Sequence, residues 1–219
     1  MSKYGYVGKE SDIPQQVFKS NAGVLSVNDH LALSQEDKLT QYGQLELIQT
    51  QSVSGVSVVD FTSLDENTYN VHFLTFNNVT PTASGFHYHN VRFSNDGGST
   101  YTNATNYDYA NQYGGASAGD FADSLRSTSA TEIGDIFALT GTDTEIAGNG
   151  YMYFYNLGDS TKYSFTTHHN MAQINSTSAY MYFGNGVYHV AEPIQAFRWF
   201  SDSSVTFNGD FSLYGINNS

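Results

Sequence analysis

The chain has 219 residues, with 8 Lys and Arg against 21 Asp and Glu, and a formal net charge of −13. This charge repels the phosphates of nucleic acids and the headgroups of anionic lipids, so it argues against binding to either. Aromatic residues make up 15% of the chain and charged residues only 13%, which is unlike the charge-rich composition of coiled coils and long surface helices. Cysteine is absent, so the sequence excludes disulfides, thiolate zinc sites and cysteine nucleophiles.

Residues 1–43 differ from the remainder, because short apolar clusters are separated by glycine and neither helix nor strand periodicity persists. Apolar residues spaced along an irregular segment are typical of an extended arm that lies against another surface; a disordered terminus is the alternative. We predict an anchoring arm over residues 1–43 and one domain over residues 44–219. The predicted anchors are Tyr4, Tyr6, Ile13, Val17, Phe18, Val24 and Leu25.

The start of the chain lacks a basic stretch followed by an apolar one, and no run reaches the roughly 18 apolar residues of a transmembrane helix. These patterns predict neither a secretory signal nor insertion into a membrane. We therefore expect a protein that is made in a cytoplasm and remains soluble.

Short alternating runs dominate the sequence from Gln44 onward. In residues 45–50, 69–74 and 86–93, apolar side chains recur at every second position, as in strands with one buried face. About eight to ten such runs, separated by turn residues without helix-length patterns between them, are typical of a sandwich or jelly roll. The sequence therefore predicts an all-β protein, an antiparallel β-sandwich of jelly-roll type with an extended N-terminal arm.

Three further segments refine this prediction. The sequence Asn-Asp-Gly-Gly at 95–98 predicts a hairpin after the strand at 86–93, because glycine accepts positive φ without steric cost. Residues 101–118 are rich in Tyr, Asn, Gly and Ala with weak periodicity, which indicates a long ordered loop with a short strand. The similar sequences YMYF at 151–154 and 180–183 indicate two equivalent strands, which we favour over an internal duplication.

Many outward positions of the predicted strands carry Tyr, Thr or Asn instead of Lys or Glu. Large aromatic exposure without charge marks surfaces that are covered by a partner. Self-association would cover these residues and protect the sheet edges. We expect a homo-oligomer, with a trimer as the predicted symmetry.

Histidines are the first candidates for chemistry. His87 and His89 lie on one face of a strand, and His168 and His169 lie elsewhere. An H-x-H pair can supply two metal ligands, but no acidic residue lies at a supporting distance to complete a site. We favour histidines that are hydrogen-bonded within a sheet or interface and predict no metal and no cofactor. A ring of histidines around a symmetry axis is a third interpretation.

Catalytic motifs are also missing: the sequence has no nucleophile elbow, no phosphate-binding loop and no dinucleotide-binding fingerprint. Several acidic residues are candidates for hydrolytic chemistry, but those beside Gly or Ser are typical of turns and the others have no identifiable partner. We predict that the chain is not an enzyme. The acids considered are Asp60, Asp65, Asp108, Asp120, Asp123 and Asp135.

A tyrosine-rich segment offers a binding hypothesis. Tyr107, Tyr109 and Tyr113 alternate with Asn, Asp and Gln, a composition that suits sugars because rings stack on aromatic faces while amides and carboxylates bind hydroxyls. The same composition is typical of protein contact surfaces. We favour the protein contact and keep glycan binding as the alternative.

Taken in order, five segments resemble the virion structural proteins of tailed bacteriophages, in particular those of marine bacteria and cyanobacteria. They are LELIQT at 45–50, VVDFTS at 58–63, YNVHF at 69–73, RFSNDGGSTY at 92–101 and GDFSLYGI at 209–216. None is a catalytic motif, so the resemblance depends on their order. It implies a jelly-roll-like module carried on the particle as a capsid decoration, fibre, collar or tail component, with residues 1–43 as its anchor.

The sequence therefore predicts a non-enzymatic phage structural protein located in the virion, with other capsid or tail proteins as partners. The arm would attach to the particle, and the sandwich would form an exposed knob. The alternative is a tail-fibre or spike adhesin that binds a host-surface carbohydrate, and a polysaccharide depolymerase is a third hypothesis.

Overall fold

The computed structural model describes residues 27–35, 45–116, 121–139, 146–175 and 178–216. The chain divides into one unit of residues 1–44 with Ser219 and a second unit of residues 45–218. In the first unit the described part is one helix, α1, over Val27–Gln35. The predicted anchors Tyr4, Tyr6, Ile13, Val17, Phe18, Val24 and Leu25 lie outside the described residues.

The second unit consists of strands and their connections, which confirms the predicted all-β class. One 3-10 turn, Asp202–Ser204, interrupts the strands near the end of the unit. No helix among the described residues has the length and apolar character needed to cross a bilayer. The strands are β1 Leu45–Val56, β2 Val58–Phe61, β3 Val71–Pro81, β4 His87–Ser94, β5 Tyr107–Gly115, β6 Phe121–Ala130, β7 Ile133–Leu139, β8 Gly148–Tyr155, β9 Ser164–Asn175, β10 Ser178–Tyr188, β11 Ala196–Ser201 and β12 Phe207–Ile216.

The strands form two antiparallel sheets. The large sheet has eight strands in the order β1-β12-β3-β8-β9-β10-β5-β6, and the small sheet has four in the order β2-β11-β4-β7. Without β5, β6, β9 and β10, two four-stranded sheets remain, and the chain crosses between them as a jelly roll does. The predicted jelly-roll sandwich is therefore confirmed.

Two inserted hairpins make the large sheet twice as wide as the small one. The first, β5 with β6, is inserted between β4 and β7, and the second, β9 with β10, is inserted between β8 and β11. They lie side by side because β10 pairs with β5 over residues 180–188. The large sheet thus has a jelly-roll half and an inserted half.

Two local predictions are corrected. The segment 101–118, predicted as a long loop with a short strand, contains the nine-residue strand β5, in which alternate side chains such as Tyr107 and Asn111 point inward and are buried. Gly97 and Gly98 do adopt positive φ, of 69° and 91°, as expected for a turn. The strands on either side of this turn belong to different sheets, however, so the predicted hairpin pairing does not form.

Aromatic rings fill the space between the two sheets. The ring of Phe76 on the large sheet stacks on Phe137 of β7 at 5.2 Å between centroids, and Phe154 stacks on Phe197 of β11 at 4.4 Å. Trp199 is completely buried beside Phe76. Aromatic residues bury large apolar areas, so these contacts hold the two sheets together.

Candidate functional site

The outward surfaces of the two sheets differ in charge. Each strand of the small sheet carries one Asp or Arg: Asp60, Arg92, Asp135 and Arg198. Arg198 forms two hydrogen bonds of 2.7 Å with Asp60, and Arg92 forms one of 2.7 Å with Glu132. Two ion pairs therefore lie on this side of the sandwich, whereas Asp135 accepts a hydrogen bond from Tyr109 of the large sheet.

The four central strands of the large sheet, β3, β8, β9 and β10, contain no Asp, Glu, Lys or Arg. Their outward side chains continue onto β12 and β1 as one surface, which we name the apolar face. Its apolar and aromatic members are Leu45, Leu47, Val71, Phe73, Tyr151, Tyr153, Tyr155, Phe165, Met171, Met181, Phe183 and Tyr214.

Strand register places these side chains next to one another across the sheet. Leu47, Tyr214, Phe73 and Tyr153 occupy one row on β1, β12, β3 and β8. The ring of Phe73 lies 6.2 Å from that of Tyr214 and 4.7 Å from that of Tyr153. Met171 is 62% and Leu47 59% exposed, so the face is uncovered at both its centre and its edge.

A concavity of about 350 Å³ lies in the middle of the apolar face. The rings of Phe73, Tyr151 and His169 line it, together with Met171 and the polar side chains of Asn77 and Asn149. The ring of Tyr151 meets that of His169 edge-on at 5.8 Å. A partner could therefore insert a side chain among these rings.

The predicted tyrosine contact residues lie on the inward side of β5, where Tyr107 is completely buried and Tyr109 and Tyr113 are partly exposed, so the prediction is corrected for Tyr107. Tyr107 is completely buried, where its hydroxyl accepts the N–H of Phe93 at 3.0 Å. Tyr109 donates its hydroxyl to Asp135 at 2.8 Å, and Tyr113 stacks on Tyr182. The alternation of β5 turns these rings toward the interior, so they do not form an outward contact surface.

The candidate histidines lie in different parts of the fold, on β4 of the small sheet and on β9 of the large sheet. His89 is buried in the core, where its Nδ1 accepts a hydrogen bond of 2.9 Å from Nε1 of Trp199 and its ring stacks on Phe137. His168 points inward from β9 and is also buried, whereas His169 points outward onto the apolar face. No group of three or more His, Asp or Glu side chains that could hold a metal occurs within the described ranges.

The acidic candidates are also separated from one another. Asp60 pairs with Arg198, Asp108 lies 3.2 Å from Nε2 of His189, and Asp135 accepts a hydrogen bond from Tyr109. Burial raises the pKa of Asp135 above its ordinary value, with the Tyr109 hydrogen bond acting in the opposite direction. Asp120 and the side chain of Asp123 lie outside what the structure describes.

Comparison of the chain with protein-family models, with curated proteins and with solved structures finds no match. The sequence predicts an uncharged aromatic surface on the outward positions of the strands but does not show which strands form it. The signal that locates it is the lack of charge in β3, β8, β9 and β10, which strand order then brings together.

Proposed function

We propose that this chain is a non-enzymatic structural component of a bacteriophage particle, in which the apolar face packs against neighbouring copies of the same chain. Residues 1–43 attach it to other capsid or tail proteins. The observation that carries the proposal is the charge-free centre of the large sheet, with Met171 and Leu47 mostly exposed.

The dimensions of the face suit a small interface. Its six strands, about 4.8 Å apart, make it about 24 Å wide, and four rows of outward side chains about 7 Å apart span about 20 Å. The resulting area, on the order of 500 Å², is smaller than the roughly 800 Å² that each partner buries in a standard interface. Continuous apolar patches of this size on a protein surface are often functional.

Charge favours a second copy as the occupant of this face. Every copy carries a formal net charge of −13, so two copies repel each other over most of their surfaces. The central strands of the large sheet carry no charge and so do not add to that repulsion. Two such faces can therefore approach and bury their rings, and the predicted trimer is one symmetry that allows it.

The virion setting is supported by two observations of different kinds. The five segments described above resemble phage structural proteins in their order. Jelly rolls also form many viral capsid and lectin domains, which is an analogy at the level of the fold. The separation of Asp60, Asp108 and Asp135 from one another supports a non-catalytic role over a depolymerase.

Incorporation into particles tests the proposal. Phage that encode this chain would be grown with the full chain, with residues 1–43 deleted, or with the double substitution Leu47→Glu and Met171→Glu, and purified particles analysed by mass spectrometry. We expect the full chain in the particles and both variants strongly depleted from them. Val58→Glu, which changes an apolar residue of the small sheet that is 38% exposed, is the matched control. Particles without the full chain, or normal incorporation of both variants, would contradict the proposal.

Recognition of a host glycan is the second candidate function. It no longer depends on Tyr107, which is buried, but on the concave regions of the large sheet.

The depolymerase hypothesis is tested separately by adding the purified chain to host polysaccharide. We expect the polysaccharide to keep its length.

A further inference from the structure

Arg126 differs from the other basic side chains that the structure describes. Of the Lys and Arg residues in those ranges, Arg92 pairs with Glu132, Lys162 with Asp159 and Arg198 with Asp60. Arg126 is exposed and forms no ion pair with any described residue. A guanidinium that has no acidic partner among the described residues, on a chain with a net charge of −13, is suited to an anion from outside.

Arg126 lies at a concavity of about 360 Å³ in the inserted half of the large sheet, which we name the arginine concavity. Register places Arg126, Ala110 and Asn185 in one row on β6, β5 and β10. Gln112 and Phe183 are paired in the neighbouring row. The short side chain of Ala110 leaves a gap between Arg126 and Asn185, which lie two strand spacings, or about 10 Å, apart.

We propose that the arginine concavity binds an acidic sugar residue of a polysaccharide. The guanidinium of Arg126 would bind the sugar carboxylate through two parallel hydrogen bonds. The amides of Gln112 and Asn185 would bind ring hydroxyls, and the ring of Phe183 offers an apolar surface for the sugar ring. The volume is at the lower end of the range for small-ligand sites, which suits one or two sugar units.

The surroundings favour an anion over a neutral sugar. The carboxylate on the same face of β5, Asp108, lies 3.2 Å from Nε2 of His189 and forms no ion pair with Arg126. An acidic segment of a protein could also supply a carboxylate. Binding a peptide carboxylate requires only the guanidinium of Arg126, however. The concavity also provides two side-chain amides and the aromatic ring of Phe183. This proposal rests on glycan recognition, the second candidate function, and not on the assembly of copies, because Arg126, Gln112 and Asn185 lie outside the apolar face and only Phe183 belongs to both surfaces.

The test compares a uronic acid disaccharide, cellobiouronic acid, with its neutral counterpart cellobiose. Both would be titrated against the full chain by calorimetry, with saturation-transfer NMR to detect weak contacts. We expect the acidic sugar to bind roughly tenfold or more tightly than cellobiose, because its carboxylate adds hydrogen bonds to a charged group. Arg126→Gln should remove this preference while cellobiose binding remains unchanged.

Lys162→Gln is the matched control, since it removes the same charge outside the concavity and should leave both affinities unchanged. Gln112→Ala with Asn185→Ala should weaken both sugars. Equal affinity for the two sugars, the absence of binding by either, or an Arg126→Gln variant that keeps the preference would overturn the proposal. Tighter binding of a tetraglutamate peptide than of the acidic sugar would assign the site to a protein partner and overturn it as well.

Discussion

Several buried histidines of the described strands have pKa values below the ordinary value. His89 and His168 are both buried, and burial, with a smaller contribution from a neighbouring histidine, lowers the pKa of each from 6.5 to about 3. Burial also lowers the pKa of His72. Neither ring nitrogen of His168 has a hydrogen-bond partner among the described residues, so its charged form has nothing to stabilise it.

These groups make the protein less stable in acid. Below pH 6.5 the unfolded chain takes up protons that the folded chain does not take up until about pH 3. The free energy of unfolding therefore decreases as the pH falls through this window, by about 1 kcal/mol per pH unit for each such histidine. Above pH 6.5 the same groups contribute no pH dependence.

Replacing His168 with Leu should reduce this dependence. We expect His168→Leu to raise the unfolding free energy at pH 5 by about 1 to 2 kcal/mol relative to the native chain, and to have a smaller effect at pH 8. Chemical denaturation at both pH values measures this difference. His189→Gln is the surface control: it removes a partly exposed contact with Asp108, so we expect it to lower the unfolding free energy at pH 5 by less than about 1 kcal/mol and not to raise it. An identical effect of His168→Leu at pH 5 and pH 8 would show that protonation of this residue does not limit stability.

The small sheet ends at β7, and side chains of the large sheet cap the backbone groups of this edge. The amide of Asn111 donates to the carbonyls of Gly134 and Asp135 at 2.8 and 3.0 Å. The amide of Asn170 donates to Ile136 at 3.2 Å. Unpaired strand edges promote aggregation, so this capping protects the sandwich at β7, the edge strand of the small sheet.

Removing one cap should destabilise the fold locally and globally. Asn111→Ala removes the donor from one buried and one partly buried carbonyl, so we expect a loss of about 2 kcal/mol in the free energy of unfolding. Hydrogen exchange should become faster in β7 than in β11, the other neighbour of β4. Gln112→Ala changes the exposed neighbour of Asn111 on the same strand and should be almost neutral. Equal stability of the two variants would mean that the caps contribute little.

The existence of strands could be predicted from the alternation of the sequence, but the buried face of each strand could not. In residues 69–74 the apolar side chains of Val71 and Phe73 lie on the outward apolar face, while His72 is buried. The length of β5 was underestimated because Asn111 is buried as a cap and Ala110 is exposed, which reverses the usual pattern. The sequence also does not show that the turn at Asp96 connects a strand of the small sheet to a strand of the large sheet.

The position of the candidate site could not be predicted from the sequence either. An uncharged aromatic surface follows from composition, but its position depends on register, which aligns Leu47 with Tyr214 and Phe73 across separate parts of the chain. The choice of Tyr107 failed because clustering in sequence does not show which side of a strand is buried. Arg126 is not part of any motif in the sequence. It stands out only in the structure, because every other Lys and Arg that the structure describes forms an ion pair.

At the scale of the whole molecule, the two outer surfaces have opposite characters. Ion pairs such as Arg198 with Asp60 keep the outer side of the small sheet hydrated, while the apolar face presents rings and aliphatic chains. The net charge of −13 therefore causes copies of the chain to repel one another, whereas the apolar face provides a local attraction between them.

Salt should strengthen the association of copies. Screening reduces the repulsion between like-charged molecules, while burial of apolar surface is not weakened by sodium chloride. We expect the dissociation constant of the oligomer to fall by about threefold or more between low and physiological ionic strength. Sedimentation equilibrium at several salt concentrations measures this change. Weaker association with added salt would indicate an interface built on ion pairs instead.

The measurement that tests the central claim most directly is the oligomeric state of the full chain in solution, determined by sedimentation velocity over a range of concentrations. The account predicts an oligomer, which Leu47→Glu with Met171→Glu weakens by about a hundredfold, because each introduced charge would have to be buried. The control Val58→Glu should sediment like the native chain. A native chain that is monomeric at every concentration, or a double variant that associates as the native chain does, would contradict the account.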